Sequence, residues 1–405
     1  MTDRRRFLAA MAVPALSLSP LARAAATAWQ PSELPEGAVA EGYLDKLPGK
    51  VPLIKRSWRP PNFETPIEFL REPITRNDAF FVRYHLAAIP QVDVKTWRLA
   101  VGGDAAGKRL EYDMATLKKE FEAVELVAVC QCSGNRRGMF QPHVQGVEWG
   151  VGAMGNARWK GVRLRDVLEQ AGVATDAVEV AFDGADGPAL PATADFIKSI
   201  PIDRALDENT LIAFEMNGQA LPHWNGYPAR LIVPGWTGTY WVKHLTRIDV
   251  RNQPQGGFWM NPAYRIPAGK FPGVARFRTQ ETPANQPITD MVVNSLVTSI
   301  HDGQRVQRGQ VVDVAGIAWD NGHGIRDVEV STDGGSSWVL AELGRDLGRF
   351  SFRAFQHKFK ATAPGTAVVM VRAFNNNGDT QATELVFNPA GYHHNVVPRI
   401  KVEVV

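Results

Sequence analysis

A thiol, a turn and two guanidinium groups follow one another in residues 132–137, whose sequence is Cys-Ser-Gly-Asn-Arg-Arg. The apolar run before them, residues 124–130, predicts a buried strand, and the Ser-Gly-Asn triplet predicts a turn. A cysteine beside fixed positive charge favours the thiolate form, which ligates soft metals. Arg137 is a planar donor with two prongs and suits an oxyanion. From these six residues alone, a buried core thiol beside a surface arginine pair remains an equal alternative.

Other short motifs along the chain carry side chains of the same kind. They are FFVRYH at 80–85, GNARWKGVRL at 155–164, NGYPAR at 225–230, WVKH at 241–244, Tyr264 and GYHHN at 391–395. With residues 132–137, these motifs resemble the sulfite oxidase family of molybdenum enzymes, and most closely its bacterial periplasmic sulfite dehydrogenases. They occur in family order from about residue 58 to the end of the chain. One motif alone is weak evidence, whereas all of them in order are specific.

The resemblance implies a molybdenum–molybdopterin cofactor with one pterin per metal. In the family the metal is held by the two dithiolene sulfurs of the pterin and by a single cysteine, and Cys132 matches that ligand. Cys130 is not at the matching position, so we expect it to be a buried strand residue. A zinc or copper site built on two cysteines is the alternative. It fails because a closed zinc site needs four ligands and the chain has only two cysteines.

The resemblance also implies which residues bind the pterin and its phosphate. They are Phe81, Arg83, His85, Asp186, Asn225, Arg230, Trp241, Val242 and Lys243. Asn225 stands where animal sulfite oxidases have histidine. The alternative for Arg230 and Lys243 is solvated surface charge. Both residues lie in apolar runs, which favours buried polar partners instead.

A site for sulfite must supply positive charge that does not titrate away, and arginine meets that need. By resemblance, Arg83, Arg137 and Tyr264 are active-site residues. His85 projects to the same side as Arg83 if the segment is extended, although a histidine that only fills the core is the alternative. The implied reaction is oxygen-atom transfer that turns sulfite into sulfate. No Cys-x-x-Cys-His motif for c-type haem occurs, so a separate c-type cytochrome is the expected electron acceptor.

Composition limits the other classes of function. The chain has 405 residues, of which 44% are hydrophobic, enough for a sizeable core and more than one domain. Its formal charge is +3, and four arginines and one aspartate before residue 25 account for all of it. The remainder is near neutral, so no basic surface for nucleic acid or anionic lipid is predicted.

The N-terminus predicts export. Residues 4–8, Arg-Arg-Arg-Phe-Leu, fit a twin-arginine pattern, and an apolar run and the small-residue site 22–24 follow. The apolar run covers residues 8–18, whereas a membrane anchor needs ~20 apolar residues. We therefore expect residues 1–24 to be a cleaved signal for folded export to the periplasm, with no membrane span left in the mature protein.

The predicted fold is α+β followed by a β-sandwich. Residues 25–66 predict an extended proline-rich arm, and residues 67–284 a mixed α+β molybdopterin-binding domain whose helix over residues 164–171 ends at Gly172. No Gly-x-Gly-x-x-Gly follows a strand, which argues against a Rossmann site. Residues 285–405 alternate in short runs separated by turns, which is typical of an immunoglobulin-like β-sandwich. In the family this second domain commonly forms a dimer interface, so a homodimer or a heterodimer with a cytochrome subunit is expected.

Three alternatives remain open at this point. Sulfane dehydrogenases and periplasmic methionine sulfoxide reductases use the same cofactor chemistry, although the reductases lack the sandwich domain. An exported binding protein that uses its sandwich for adhesion belongs to a different class, and fold alone does not exclude it. The cysteine and arginine motifs, together with the export signal, favour an enzyme.

Overall fold

The computed structural model of the protein describes residues 43–268 and 285–405, and it confirms the predicted fold class. A mixed part with strands and short helices is followed by a part made of two packed sheets. The predicted signal, the arm up to residue 42 and residues 269–284 lie outside the described residues. No helix in the described ranges is long and apolar enough to cross a membrane.

The first part contains fifteen strands within the described residues. In chain order these are β1 Tyr43–Lys46, β2 Pro52–Ser57, β3 Asn62–Glu64, β4 Val82–Arg83, β5 Leu99–Gly103, β6 Leu110–Tyr112, β7 Ala123–Gln131, β8 Met154–Arg163, β9 Glu179–Gly184, β10 Lys198–Pro201, β11 Leu211–Met216, β12 Gln219–Ala220, β13 Arg230–Ile232, β14 Leu245–Arg251 and β15 Arg265–Pro267. The α-helices are α1 Met114–Glu120, α2 Leu164–Ala171 and α3 Ile202–Ala205. Single 3-10 turns cover Ile67–Leu70, Arg137–Met139, His223–Asn225 and Gly238–Tyr240.

Part of the predicted arm forms a sheet. Strands β1, β2 and β3 pair antiparallel in that order, and β4 completes the sheet beside β3. Lys50 lies in the turn that connects β1 to β2 and is 3% exposed. Its ammonium donates to the Asn225 Oδ1 atom at 2.7 Å, so this sheet is fastened to a residue that the sequence places at the cofactor.

A mixed sheet and an antiparallel sheet form the centre of the first part. One has the order β10-β9-β14-β5-β6, in which β14 and β5 are parallel, and the other has the order β12-β11-β8-β7 with β13 beside β11. Helix α2 has the predicted bounds. Its buried residues Leu164, Val167, Leu168 and Ala171 form one face, and Gly172 ends it at φ 75°.

Residues 285–405 form the predicted sandwich. Its strands are β16 Asn285–Pro287, β17 Asn294–Val297, β18 Gln304–Val306, β19 Val311–Trp319, β20 Ile325–Ser331, β21 Val339–Leu340, β22 Glu342–Leu343, β23 Arg353–Lys360, β24 Gly365–Asn375 and β25 Arg399–Val404. Strand β16 pairs with β15, and the others make two sheets of order β17-β19-β23-β22 and β18-β25-β24-β20-β21. Alternating valines on facing strands build the core between them.

The strand that precedes the predicted metal ligand is clamped by the sandwich. The Val129 amide donates to the Phe350 carbonyl oxygen at 2.9 Å, and the Trp319 indole donates to Gln131 Oε1 at 2.6 Å. Both partners on β7 are buried. The second part of the fold therefore helps to fix the end of β7, from which the cysteine motif follows.

Candidate active site

A cavity opens at the end of β7. Its walls come from the β4 segment, the loop after β7, the loop after β9 and the segments around β13. The lining residues are Phe80, Phe81, Arg83, Tyr84, His85, Cys130, Cys132, Ser133, Asp186, Phe196, Trp224, Asn225, Arg230, Gly238, Thr239, Trp241, Lys243 and Tyr264.

Both cysteines face this cavity. Strand β7 pairs with β8 along its whole length, and side chains two positions apart lie on the same side of a strand. Cys130 is 2% and Cys132 7% exposed. Burial raises the pKa of the Cys130 thiol to about 11, and the Arg230 guanidinium, 3.9 Å from its sulfur, only partly offsets this. The expectation that Cys130 is a buried strand residue agrees with its position, although it also lines the cavity.

Arg83, His85 and Tyr264 meet at a single hydroxyl group. The Arg83 Nη2 atom donates to the Tyr264 oxygen at 3.4 Å, and the same oxygen is hydrogen-bonded to His85 Nε2. The chain brings Tyr264 here from the segment before β15, with a left-handed backbone at φ 59°. Three residues that the sequence predicts for the substrate site are thus in direct contact.

The His85 ring is held neutral at this position. Burial lowers its pKa well below the usual value, and the charges of Arg83, Lys243 and Lys198 lower it further. Arg83 can only donate, so the Tyr264 oxygen accepts from it, and the same hydroxyl group is hydrogen-bonded to His85 Nε2. Phe196 stacks on the imidazole at 3.6 Å between ring centroids, and this contact fixes the ring plane.

Arg230, which is buried, and Lys243, which is half-buried, are basic side chains that line the same cavity. Arg230 donates to the carbonyl oxygens of Asn225 at 3.0 Å and Trp241 at 3.1 Å, while its Nε atom is buried without a partner among the described residues. Lys243 donates to the Trp224 carbonyl oxygen at 3.2 Å. Burial lowers the pKa of Lys243, and the Arg230 charge lowers it further. Arg230 gives the cavity a positive charge, and Lys243 adds a basic group near it.

Asp186 and Asn225 also line the cavity, as the sequence predicts for cofactor-binding residues. Burial raises the pKa of Asp186, and Lys243 opposes that rise. The Asn225 amide is engaged on both atoms: Oδ1 accepts from Lys50, and Nδ2 donates to the Phe81 carbonyl oxygen at 3.1 Å. The Asn225 side chain therefore connects two loops of the site.

Two predicted site residues do not line the cavity. Val242 is 1% exposed and lies between two lining residues, Trp241 and Lys243, with its side chain in the core. Arg137 donates from Nε to the Ala390 carbonyl oxygen at 2.8 Å and from Nη1 to the Val147 carbonyl oxygen at 3.1 Å. These bonds hold its guanidinium at a place that is not part of the cavity lining.

Tyr392 connects Arg137 to the site. Its ring stacks parallel on Tyr264, with 5.8 Å between centroids and 9° between planes, and the Arg137 guanidinium lies 5.2 Å from its centroid. The sequence motif at 391–395 indicated this segment without assigning a role to the tyrosine. Only the fold shows that the sandwich part supplies an aromatic side chain to the predicted substrate residues.

Lys198 is a second residue that the motifs did not indicate. It starts β10, is 1% exposed and alternates with Phe196 and Ile200, which are both buried. A lysine at an inward position of a strand was the available signal in the sequence. Arg158, by contrast, lies on the surface and pairs with Glu125 at 3.4 Å.

Comparisons with known proteins give matches to both parts of the fold. Residues 85–259 match the family model of the oxidoreductase molybdopterin binding domain, and residues 285–405 match that of the Mo-co oxidoreductase dimerisation domain. Mitochondrial sulfite oxidase of Homo sapiens is 35% identical over 388 residues, which cover 91% of this chain and 69% of the relative. The same enzyme of Rattus norvegicus is 36% identical, with 86% and 65% covered. The chain thus spans about two thirds of the length of these relatives.

A solved structure resembles the chain over most of its length. The sulfane dehydrogenase SoxCD from Paracoccus pantotrophus aligns with a TM-score of 0.73 and 26% identity. The alignment covers 87% of each chain, so it includes both the mixed part and the sandwich part.

Proposed function

Because the chain belongs to the sulfite oxidase family of molybdopterin enzymes, we propose that it oxidises sulfite to sulfate and passes the electrons to a c-type cytochrome. One observation carries the substrate part of the proposal. Arg83 and Tyr264 are hydrogen-bonded inside the cavity that Cys132 also faces. A fixed cation and a hydroxyl beside a soft sulfur donor suit an oxyanion whose sulfur reacts.

The cofactor is molybdenum–molybdopterin, and the cavity residues fit it. Cys132 supplies a soft sulfur donor for the metal, and Arg230 and Lys243 supply positive charge for the pterin phosphate. The Ser133 Oγ and Arg230 Nε atoms line the same cavity without a partner in the described part of the chain, and buried polar atoms need one. When bound, the group supplies the two-electron redox chemistry and the oxygen-atom transfer.

The protein's own task is to hold the anion in one orientation. Burial opposes the charge of Arg83, but the neighbouring Tyr264 and Cys132 hold the pKa of the guanidinium above its usual value. The charge is therefore permanent across the physiological pH range. The hydrogen bond between His85 Nε2 and the Tyr264 hydroxyl holds the phenol oxygen beside Arg83. Such positioning acts directly on the reaction barrier.

A sulfite-dependent assay of cytochrome c reduction tests the proposal. Purified holoenzyme is expected to reduce cytochrome c only when sulfite is present and to form one sulfate per two cytochromes. Enzyme with Cys132→Ser serves as the control. The absence of sulfite-dependent reduction in metal-loaded wild-type enzyme would refute the proposed substrate.

Sulfane dehydrogenation is a second candidate function, because the similar solved structure is that of the sulfane dehydrogenase SoxCD. The same assay distinguishes the two candidates if a protein-bound sulfane sulfur replaces sulfite. Faster reduction with the sulfane substrate at equal enzyme would favour this alternative.

Export, acceptor and assembly belong to the same proposal. The twin-arginine pattern at residues 4–8 supports folded export to the periplasm. Changing Arg4 and Arg5 to lysine is expected to retain the protein in the cytoplasmic fraction.

The match of residues 285–405 to a dimerisation domain supports a dimer, either of two copies or with a cytochrome subunit. Light scattering of the purified protein with and without a co-expressed cytochrome decides between these assemblies.

A further inference from the structure

Lys198 is a buried basic residue that lies next to residues that we assign to substrate binding. Its Nζ atom donates to the Trp259 carbonyl oxygen at 2.7 Å. The same atom lies 4.6 Å from the ring centroid of Tyr240 and 5.1 Å from that of Tyr264. Trp259 also packs against His85, with 5.0 Å between centroids. Lys198 therefore contacts both Trp259 and the ring of Tyr264, whose hydroxyl is bonded to Arg83 and His85.

A buried ammonium is costly unless an anion compensates it. Glu179 is the acidic side chain that favours the charge of Lys198, but its Oε2 atom already accepts from Ser199 Oγ at 2.6 Å and from the Gln255 amide at 2.9 Å. The other polar partner of Lys198 is a neutral carbonyl oxygen. The fold thus holds a cation beside an anion site with little compensation from the protein itself.

The charged groups around Lys198 determine when it carries its charge. Burial lowers the pKa of Lys198 to about 7, Arg265 lowers it further, and Glu179 opposes the shift. From the other side, the Lys198 charge contributes to the lowered pKa of His85. The phenols of Tyr240 and Tyr264 stay neutral, because burial raises the pKa of both.

We infer that Lys198 is a positioning residue that supplies a buried positive charge to the anion site and holds Trp259 and Tyr264 in place around it. This inference rests on the proposed function, because the anion is then sulfite or its product sulfate. Arg83 provides the permanent charge in direct contact, whereas Lys198 acts through Tyr264. Anion affinity should therefore fall as the pH rises through the Lys198 pKa.

Sulfate is the suitable probe, because it remains a dianion on both sides of that pKa whereas sulfite itself titrates. The inhibition constant of sulfate against sulfite oxidation is measured with holoenzyme well below and well above the Lys198 pKa of about 7. In wild-type enzyme we expect sulfate to bind roughly tenfold more weakly on the alkaline side. Lys198→Met should bind weakly at every pH, and Lys198→Arg tightly at every pH.

Lys119→Met is the matched control, because it removes the same charge from an exposed position on α1. It should follow the wild-type profile. A merely structural lysine would lower turnover or stability in Lys198→Met without changing the pH profile of sulfate binding. An inhibition constant for wild-type enzyme that is independent of pH, or equal pH profiles for wild type and both Lys198 variants, would overturn the inference.

A second measurement on wild-type protein covers variants that fail to fold. By linkage, saturating sulfate should raise the pKa of Lys198, which is followed by NMR of lysines labelled at the ε-carbon. Lys50 is the internal reference, because it is also buried and its ammonium is enclosed by Asn225 and two carbonyl oxygens. No shift of Lys198 relative to Lys50 overturns the inference. Loss of sulfite turnover in wild type would instead refute the proposed function.

Discussion

At the scale of single residues, the two cysteines show how position decides chemistry. Both face the same cavity, but Cys130 is inside β7 beside Arg230, whereas Cys132 follows the strand and begins the turn. The Cys132 amide donates to the Ala153 carbonyl oxygen at 2.9 Å, which fixes the backbone at the thiol. Cys132, unlike Cys130, lies at the start of the turn, and a hydrogen bond holds its backbone there.

Exchange of the Cys132 sulfur for oxygen should therefore abolish catalysis. In Cys132→Ser a hydroxyl replaces the soft thiolate, so we expect folded protein with sulfite turnover near background. Cys130→Ala should keep turnover and lose about 1 kcal/mol or more of stability, because a small buried side chain is removed. Molybdenum content, turnover and thermal unfolding are measured on both variants. Turnover near wild type in Cys132→Ser would contradict the assignment.

Tyr264 shows how much a single hydroxyl connects. In Tyr264→Phe the ring still stacks on Tyr392, so the loss of stability should be roughly 0.5–1.5 kcal/mol for one hydrogen bond. The kinetic effect should be larger, because Arg83 and His85 lose their common partner and the anion is held less precisely. Turnover is compared at equal molybdenum content. Unchanged rates in fully loaded protein would mean that Tyr264 only packs.

At the scale of elements, local patterns in the sequence were sufficient where the structure is local. Helix α2 has the bounds that its apolar spacing and Gly172 indicated, and the apolar run at 124–130 became β7. The short alternating runs in residues 285–405 likewise form strands, among them β19, β20, β23 and β24. In each case neighbouring residues alone determine which face is buried.

Contacts between distant segments were beyond such patterns. Strand β14 lies parallel to β5, with Arg247 opposite Ala100, and no local signal specifies that pairing. The arm is part of a sheet because β3 pairs with β4, which is also a contact between separated segments. Lys198 and Tyr392 lie near the site because of similar contacts between distant segments. Arg137 does not line the cavity, because it donates to the carbonyl oxygens of Val147 and Ala390. The motifs identified residues of the site, but the pairing of strands decides their distances.

The element that carries Tyr392 gives Arg137 an indirect role. Arg137→Gln should raise the Michaelis constant for sulfite about tenfold and change turnover less, because a charge behind the stacked tyrosines is lost in the ground state as well. Arg158→Gln is the control, since Arg158 is exposed and pairs with Glu125. Steady-state kinetics at constant pH measure both variants. An equal Michaelis constant in the two variants would show that Arg137 has no role in sulfite binding.

At the scale of the whole molecule, one buried arginine connects the cysteine motif to the sandwich. Arg136 donates to Asn294 Oδ1 and to the Ser295 carbonyl oxygen, each at 2.7 Å. Burial lowers its pKa to about 10, so it remains charged at neutral pH. Asn294 in turn donates to the His394 carbonyl oxygen at 2.9 Å, in the segment that presents Tyr392. The turn that follows Cys132 and the C-terminal segment are therefore held by one hydrogen-bond network.

His394 makes this network sensitive to acid. Its ring packs against Phe140, its Nδ1 atom is buried without a partner among the described residues, and burial with the nearby Arg136 charge lowers its pKa to about 3. The unfolded chain takes up this proton near the usual value of 6.5, well before the folded protein does. The contribution of neutral His394 to stability is thus complete above 6.5 and is lost as the pH falls towards 3, by about 1.4 kcal/mol per pH unit.

His394→Phe should reduce that loss, because phenylalanine keeps the packing on Phe140 and cannot take up a proton. Between about pH 7 and about pH 5 the variant should lose about 2 kcal/mol less unfolding free energy than wild type, as measured by urea unfolding of the holoenzyme. Some acid sensitivity will remain, because burial also lowers the pKa of His244 to about 3 and of His393 to about 4. His143→Phe, at an exposed position, should behave like wild type. Equal pH dependence in His394→Phe and wild type would show that the acid response arises outside the network that joins the two parts of the fold.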